Sequence, residues 1–240
     1  MSTLLSLSSQ ETQTLTKIFD QYITSKTAGA LSTLLSEPID HSVQVFCIAN
    51  IKNIRLDPDE INMCAVRLNG KGDTHIEILY TIQQKHAKKI AAKLLCVSDI
   101  CEIDEMGASA IQEVANIMTG SFFNALSNGT GFRVDLSTPN YANAELQSLI
   151  DISLKDVVNQ VEYAVIADVE LTGKSTGAKL HMIIMQNPDD ARKLLLNHSD
   201  KSDACNGENP ALIQEDASYS VGGSNSELDA FLSDILQEKQ

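Results

Sequence analysis

The sequence predicts an α+β fold with mainly antiparallel strands and two long helices on one side of the sheet. Apolar residues recur at helical spacing over residues 8–36 and 104–130, which indicates two long amphipathic helices. Two hairpin patterns also occur, each made of two β-branched segments around a glycine-containing turn: residues 63–68 with 75–82, and residues 161–171 with 179–185. The third observation is that the two halves of the chain resemble each other.

The internal resemblance is clearest in two alignments. The segment IEILYTIQQKHAKKI aligns with LHMIIMQNPDDARKL at an offset of 104, and AGALSTLL aligns with FNALSNGT at an offset of 95. We therefore predict two tandem α-β-β-β-α units, residues 8–96 and 103–198. A unit of this size is marginally stable alone, so we expect both units to share one domain over residues 1–198.

The remaining elements follow in chain order. Ser8 or Ser9 is suited to cap the first helix, and Pro38 ends it. The glycine-containing segments 69–73 and 172–175 are predicted to be the hairpin tips. The other predicted elements are a strand at 42–51, a helix at 84–95, a short strand at 132–136 ended by Pro139, a helical segment at 146–154 and a closing helix at 189–197.

The C-terminal part of the chain differs in composition. Residues 199–225 are rich in Ser, Asp, Asn and Gly, which predicts a flexible acidic linker. Residues 226–240 contain apolar side chains at helical spacing, and we expect this amphipathic peptide to dock either on its own domain or in a partner's groove. Its apolar residues are Leu228, Phe231, Leu232 and Ile235, followed by Leu236.

Composition excludes several functional classes. The net charge of −14 argues against nucleic acid as the main partner, because phosphate binding needs a basic surface. The chain contains no apolar run of membrane-spanning length and no signal-peptide pattern at its start, so we expect a cytoplasmic protein. Its five Cys and five His show no metal-ligand spacing, and no metal site is predicted. Phosphate-loop, dinucleotide and nucleophile-elbow motifs are absent from the sequence.

The central helix has an unusual outer face. A narrow polar stripe lies opposite its apolar face, formed by Ser109, Glu113, Asn116, Gly120 and Ser127. Asn and Gly are poor helix formers, and a purely solvated face would be better served by Lys, Glu or Gln. A carboxylate and an amide at i and i+3 project side by side. The stripe is therefore either a solvated surface or a functional site.

The spacing of Ser109, Glu113, Asn116 and Pro139 resembles a family signature. It fits the pattern S/D-x3-E-x2-N-x22-P of the CheC–CheX–FliY family of chemotaxis phosphatases, and QEVANIMTGSFFNALSNGTG is similar to that family's active-site helix. The resemblance covers about residues 8–198. It implies one CheC-like domain with an internal duplication.

The resemblance also implies a function and its residues. The substrate would be the aspartyl-phosphate of a CheY-type response regulator, with Asn116 orienting the attacking water and Glu113 pairing with the regulator's active-site lysine. Ser109 and Gly120 would assist docking. The chain would need no cofactor of its own, because the receiver domain supplies Mg²⁺. A CheD-like deamidase and a second copy of the chain are further candidate partners.

The first half departs from the signature. An offset of 95 places Thr14, Ile18 and Gln21 opposite Ser109, Glu113 and Asn116, so the carboxylate is lost and we predict a single working site. An alternative function is a non-catalytic regulator-binding or scaffold module of the flagellar switch. The C-terminal peptide is similar to the receiver-binding peptide of flagellar switch proteins. Enzymatic turnover distinguishes the phosphatase from the non-catalytic module.

Overall fold

A computed structural model describes residues 6–49, 63–144, 148–150, 152–153 and 163–205. The helices are α1 (Ser9–Tyr22), α2 (Ala28–Leu35), α3 (Gln84–Leu94), α4 (Glu105–Thr130) and α5 (Pro188–Cys205). The strands are β1 (Ile39–Ala49), β2 (Met63–Gly72), β3 (Ile76–Gln83), β4 (Val134–Leu136), β5 (Asn140–Ala144), β6 (Tyr163–Gly173) and β7 (Lys179–Gln186). A π-helix, Ile23–Thr27, joins α1 to α2, and residues 148–150 and 152–153 are helical.

Some predicted features lie outside the described residues. They are the end of the strand at 42–51, the linker beyond residue 205, and the C-terminal peptide with Leu228, Phe231, Leu232 and Ile235. Residues 199–205, predicted as the start of the linker, instead belong to α5. The chain divides into two units, Met1–Ser202 and Asp203–Gln240. No helix within the described ranges is both long and apolar enough to cross a membrane.

The strands form one antiparallel sheet in the order β1-β6-β7-β3-β2-β4, and β5 also pairs with β2. This confirms the predicted α+β class with mainly antiparallel strands. The two ends of the sheet are equivalent in this order. Strand β1 occupies the place at one edge that β4 and β5 occupy at the other, β6 corresponds to β2, and β7 corresponds to β3. Such a pseudo-twofold arrangement agrees with two tandem units, while their residue-level alignment stays a prediction.

The main core lies between the sheet and the long helices. Its cluster combines side chains of α1, α2, α3, α4 and α5 with one face of the strands, so the two long helical segments lie on one side, as predicted. Phe19 and Tyr22 of α1 meet Phe122 of α4 with ring centroids 5.9 and 6.3 Å apart. On the other face, a smaller apolar cluster includes Leu149 and Ile150.

Local signals explain the helix ends. Ser8 forms a capping box with Glu11, which confirms the predicted start of α1. Asp104 accepts a hydrogen bond from the Gly107 amide at 2.8 Å at the start of α4. The C-terminal caps of α2 and α4, Ser36 and Gly131, both adopt the left-handed conformation, with φ of 50° and 80°.

The predicted hairpin tips overlap the observed turns but begin too early. The strands continue through Gly72 and Gly173, and the bends follow them. A Cβ atom on Gly70 would overlap Phe123 and Val134, and one on Gly72 would overlap the Arg133 carbonyl. The glycines therefore serve close packing within the sheet rather than turn formation. The strand β5 was also missing from the prediction.

A buried carboxylate ties the end of α2 to the turn between β6 and β7. Glu37 is 6% exposed, and its Oε2 accepts hydrogen bonds from the backbone N–H groups of Ser175 at 2.6 Å and Thr176 at 2.9 Å. The Thr176 hydroxyl donates to its Oε1 at 2.6 Å. Burial alone would raise the pKa of Glu37, but these hydrogen bonds outweigh it and lower the pKa below the usual carboxyl value.

We expect Glu37→Gln to lower the free energy of unfolding by about 1–3 kcal/mol at pH 7, because it removes the charge-assisted hydrogen bonds between this buried carboxylate and the turn. The folded-state pKa is depressed, so the stabilisation is present above the carboxyl pKa of the unfolded chain. It is lost as the pH falls through the folded-state pKa. The measurement is urea unfolding from pH 7 to pH 3.

The matched control is Glu102→Gln, which changes an exposed carboxylate. The difference in unfolding free energy between wild type and Glu37→Gln should shrink at low pH. A difference that stays constant over this range would contradict the role assigned to the Glu37 carboxylate.

Candidate active site

The orientation of α4 is fixed by its buried face. The Tyr80 hydroxyl lies 3.0 Å from the Thr119 hydroxyl, and both side chains are almost completely buried. Burial raises the pKa of the Tyr80 hydroxyl, which keeps it protonated and able to donate. This contact lies between the sheet and α4, and the residues of α4 outside its buried face form an outward edge.

The structure brings the predicted site residues to this outward edge. Ser109 is exposed, and its hydroxyl donates to the Glu105 carbonyl at 2.9 Å. Glu113 and Asn116 are half-buried, and within the described part of the chain neither side chain has a hydrogen-bond or ion-pair partner. Gly120 is half-buried, and a Cβ atom there would meet nothing within 4 Å. The stripe is thus accessible and its two polar groups are uncommitted.

One neighbouring residue was missed by the sequence analysis. Gln112 directly precedes Glu113 in the chain, and its side-chain amide donates to the Pro139 carbonyl at 3.2 Å. This hydrogen bond ties the segment between β4 and β5 to the edge of α4. Pro139, the last residue of the signature, therefore contacts α4 through Gln112, but the sequence contained no signal that identified this partner.

The degenerate site predicted in the first half does not form a surface. Thr14 and Gln21 are exposed, whereas Ile18 is 3% exposed and belongs to the main core. The prediction of Ile18 on a polar stripe is therefore wrong. The Thr14 hydroxyl donates to the Gln10 carbonyl at 2.9 Å within its own helix.

The π-helix explains the error. A π-helical turn holds one more residue than an α-helical turn. The residues of α1, which precede it, are therefore shifted by one position relative to an uninterrupted helix. The burial pattern shows this shift: the buried residues Leu15, Ile18, Phe19 and Tyr22 of α1 correspond to Ile111, Val114, Ala115 and Met118 of α4, a difference of 96 at each position.

At this corrected register, Glu113 and Asn116 correspond to Lys17 and Asp20 of α1. Both are exposed, and the Asp20 carboxylate lies 3.2 Å from His41 Nε2. The Thr24 hydroxyl lies 3.0 Å from the same nitrogen. The first half thus carries a cation where the second half carries a carboxylate, and its acidic group is engaged by β1. This surface lacks the chemistry of the stripe on α4.

The stripe on α4 is suited to hold water and to pair with a cation. An amide can donate and accept hydrogen bonds at once, and a carboxylate one turn away attracts a lysine. Asp104 and Glu105 add negative charge at the same end of the helix. Among the described residues no group of three or more His, Cys, Asp or Glu is placed to hold a metal ion.

Comparison with known proteins places this stripe within a recognised segment. Residues 106–141, which contain Glu113, Asn116 and Pro139, match the model of the CheC-like family. The CheY-P phosphatase CheC of Bacillus subtilis (strain 168) is 22% identical over 178 residues, which cover 70% of this chain and 85% of that protein.

Solved structures show the same fold. FliY of Thermotoga maritima superimposes with a TM-score of 0.67 at 20% identity, covering 81% of this chain and 98% of that one. The FliM middle domain from H. pylori has a TM-score of 0.58 at 10% identity, covering 80% of this chain and 99% of that one. Identities this low show the likeness of fold.

The hydrogen bond between the buried hydroxyl groups of Tyr80 and Thr119 should contribute to stability. We expect Tyr80→Phe to lower the free energy of unfolding by about 1–3 kcal/mol, because it leaves the buried Thr119 hydroxyl without this partner. Thr119→Val should act similarly, and the double variant should lose less than the sum of the two, since both remove the same interaction. Urea unfolding of the four proteins measures the coupling, with Tyr163→Phe as the control. Strict additivity would contradict the coupling.

Proposed function

We propose that this chain, a member of the CheC–CheX–FliY family, hydrolyses the aspartyl-phosphate of a CheY-type response regulator. The observation that carries the proposal is the pair of uncommitted side chains, Glu113 and Asn116, one helical turn apart on the outward edge of α4. They lie inside the segment that matches the CheC-like family. The substrate class is suggested by the Bacillus subtilis relative, which is named as a CheY-P phosphatase.

The reaction makes modest demands on the protein. A water oxygen attacks phosphorus, and the bond between phosphorus and the aspartyl oxygen breaks. That oxygen leaves with the electron pair as a carboxylate, and the protons of the water end on the phosphate product and solvent. Because phosphoryl transfer passes through a loose transition state, catalysis consists mainly of positioning and charge stabilisation.

Asn116 is the residue proposed to position the water. Its side-chain carbonyl accepts a hydrogen bond from the water, while its NH₂ group donates to an oxygen nearby, and the amide remains neutral throughout. No intramolecular hydrogen bond has to break first, since the described structure offers this amide no side-chain partner. Holding the water in line lowers the entropic part of the barrier.

Glu113 is the residue proposed to set the docking register. Its carboxylate pairs with the active-site lysine of the receiver domain, and the receiver domain supplies the Mg²⁺ ion at its own phosphorylation site. Ser109 lies one turn away, and its hydroxyl oxygen retains acceptor capacity after donating to Glu105. The chain itself then contributes an amide, a carboxylate and a shaped surface.

Substitutions at the two residues should have different kinetic effects. We expect Asn116→Ala to lower the turnover number by about 10²-fold, because it removes the group that holds the water. Glu113→Ala should mainly raise KM, because it removes a docking contact. The measurement is phosphate release from a CheY receiver domain phosphorylated with acetyl phosphate, above its spontaneous rate.

Gln21→Ala serves as the matched control, because it truncates an exposed amide on the first-half helix. It should keep the wild-type rate. An Asn116→Ala variant as fast as wild type would refute the assigned site. Stoichiometric binding without faster phosphate release by the wild type would instead favour a non-catalytic regulator-binding or scaffold module.

A further inference from the structure

A cleft of about 330 Å³ opens beside the stripe, between the C-terminal half of α4 and β4. Gly120, Asn124 and Ser127 form its helical side, and residues 133–136 form the opposite side. The proposed reaction does not use it. It therefore needs a separate explanation.

Both walls of the cleft are held in place by packing and hydrogen bonds. The Phe123 ring and the Val134 side chain both lie against Gly70 of β2, where any Cβ atom would come within 2.5 Å of them. The Arg133 amide donates to the Asp73 carboxylate at 2.8 Å, and the Asp73 amide donates to the Arg133 carbonyl at 3.1 Å. Both sides of the cleft are thus anchored to β2 and the turn that follows it.

The cleft is continuous with the stripe, because Gly120 belongs to both. Asn116 is one helical turn from Gly120, and the whole stripe from Ser109 to Ser127 is about 27 Å long. A specific protein–protein interface covers about 800 Å² on each partner, which is a patch about 30 Å across. A receiver domain that reaches Asn116 therefore also covers the cleft.

The lining has a mixed character. Leu136 is 40% exposed on the rim, and Val134 is half-buried beside it. Arg133 and Asp135 are exposed on the strand side and Asn124 on the helical side, so the edge offers a cation, a carboxylate and an amide. The apolar part of the lining fits an apolar side chain in the cleft, with polar groups of both charges around its edge.

We propose that this cleft is a second anchor for the receiver domain of the same response regulator, accepting an apolar side chain of that domain. The inference rests on the proposed function for its partner. It assigns Gly120 a definite role: the missing side chain keeps the entrance open. It also separates docking from chemistry, since the anchor lies beyond the residues that face the phosphoryl group.

The test fills or charges the cleft without disturbing the core. Gly120→Leu places a side chain where a Cβ atom meets nothing within 4 Å, and Leu136→Asp puts a charge on an already exposed rim. Replacing glycine inside a helix favours helix formation, so the melting temperature of Gly120→Leu should be at least that of wild type. Gly29→Leu is the matched control, because Gly29 is an exposed glycine of α2 with nothing within 4 Å of a Cβ atom.

Two measurements are made on the full chain. One is KM for phosphate release from a phosphorylated CheY receiver domain, and the other is affinity for the same domain loaded with beryllofluoride, which mimics the phosphoryl group without turnover. We expect both cleft variants to raise KM and weaken binding by about tenfold, the size of a central interface contact. The Gly29→Leu variant should match wild type in both measurements.

The inference would be overturned if both cleft variants kept the KM and the affinity of the wild type. If the wild type binds the beryllofluoride-loaded receiver but does not release phosphate, the proposed function fails, and the affinities alone decide the role of the cleft. If the wild type does not bind the receiver domain, the inference fails with it.

Discussion

The outward edge of α4 depends on the burial of the rest of the helix. Twelve of its residues are buried, from Gly107 to Thr130, and they are packed against both halves of the molecule. The hydroxyl pair of Tyr80 and Thr119 adds a directional contact to this apolar packing, so the helix cannot rotate without burying an unpaired hydroxyl group. The residues outside this buried face, among them Glu113 and Asn116, are left for a partner.

The same packing explains why the two halves share a fold but differ in surface chemistry. Apolar positions of α1 and α4 correspond at the corrected register, because both helices fill the same kind of space above the sheet. Exposed positions are free of that constraint, and there the first half has Lys17 and Asp20. Lys17 would repel a lysine of a partner, so the first half is unsuited to the docking contact proposed for Glu113.

Much of this arrangement could be predicted from the sequence, because the strongest signals are local. The bounds of α4 follow from Asp104 as a cap, a long apolar periodicity and Gly131 as a stop. The π-helix at Ile23–Thr27 was beyond reach, because one inserted residue leaves the apolar periodicity nearly unchanged while it shifts every preceding side chain. The roles of Gly70 and Gly72 were also hidden, since glycine near a bend favours a turn until the neighbouring strand is known.

The feature that distinguishes the second half is its broken edge strand. In the first half, β1 pairs with β6 without interruption from Ile39 to Ala49. In the second half, the corresponding edge is divided into β4 and β5, and Pro139 lies at the break, where it cannot donate to a ladder. The free Pro139 carbonyl accepts from Gln112, which draws the break towards the edge of α4. A short β4 then remains beside the second part of the helix, where Gly120 leaves room for a partner. The interrupted edge and the bare helix position therefore shape one continuous surface around Asn116, and the uninterrupted β1 has no such break to draw towards its helix.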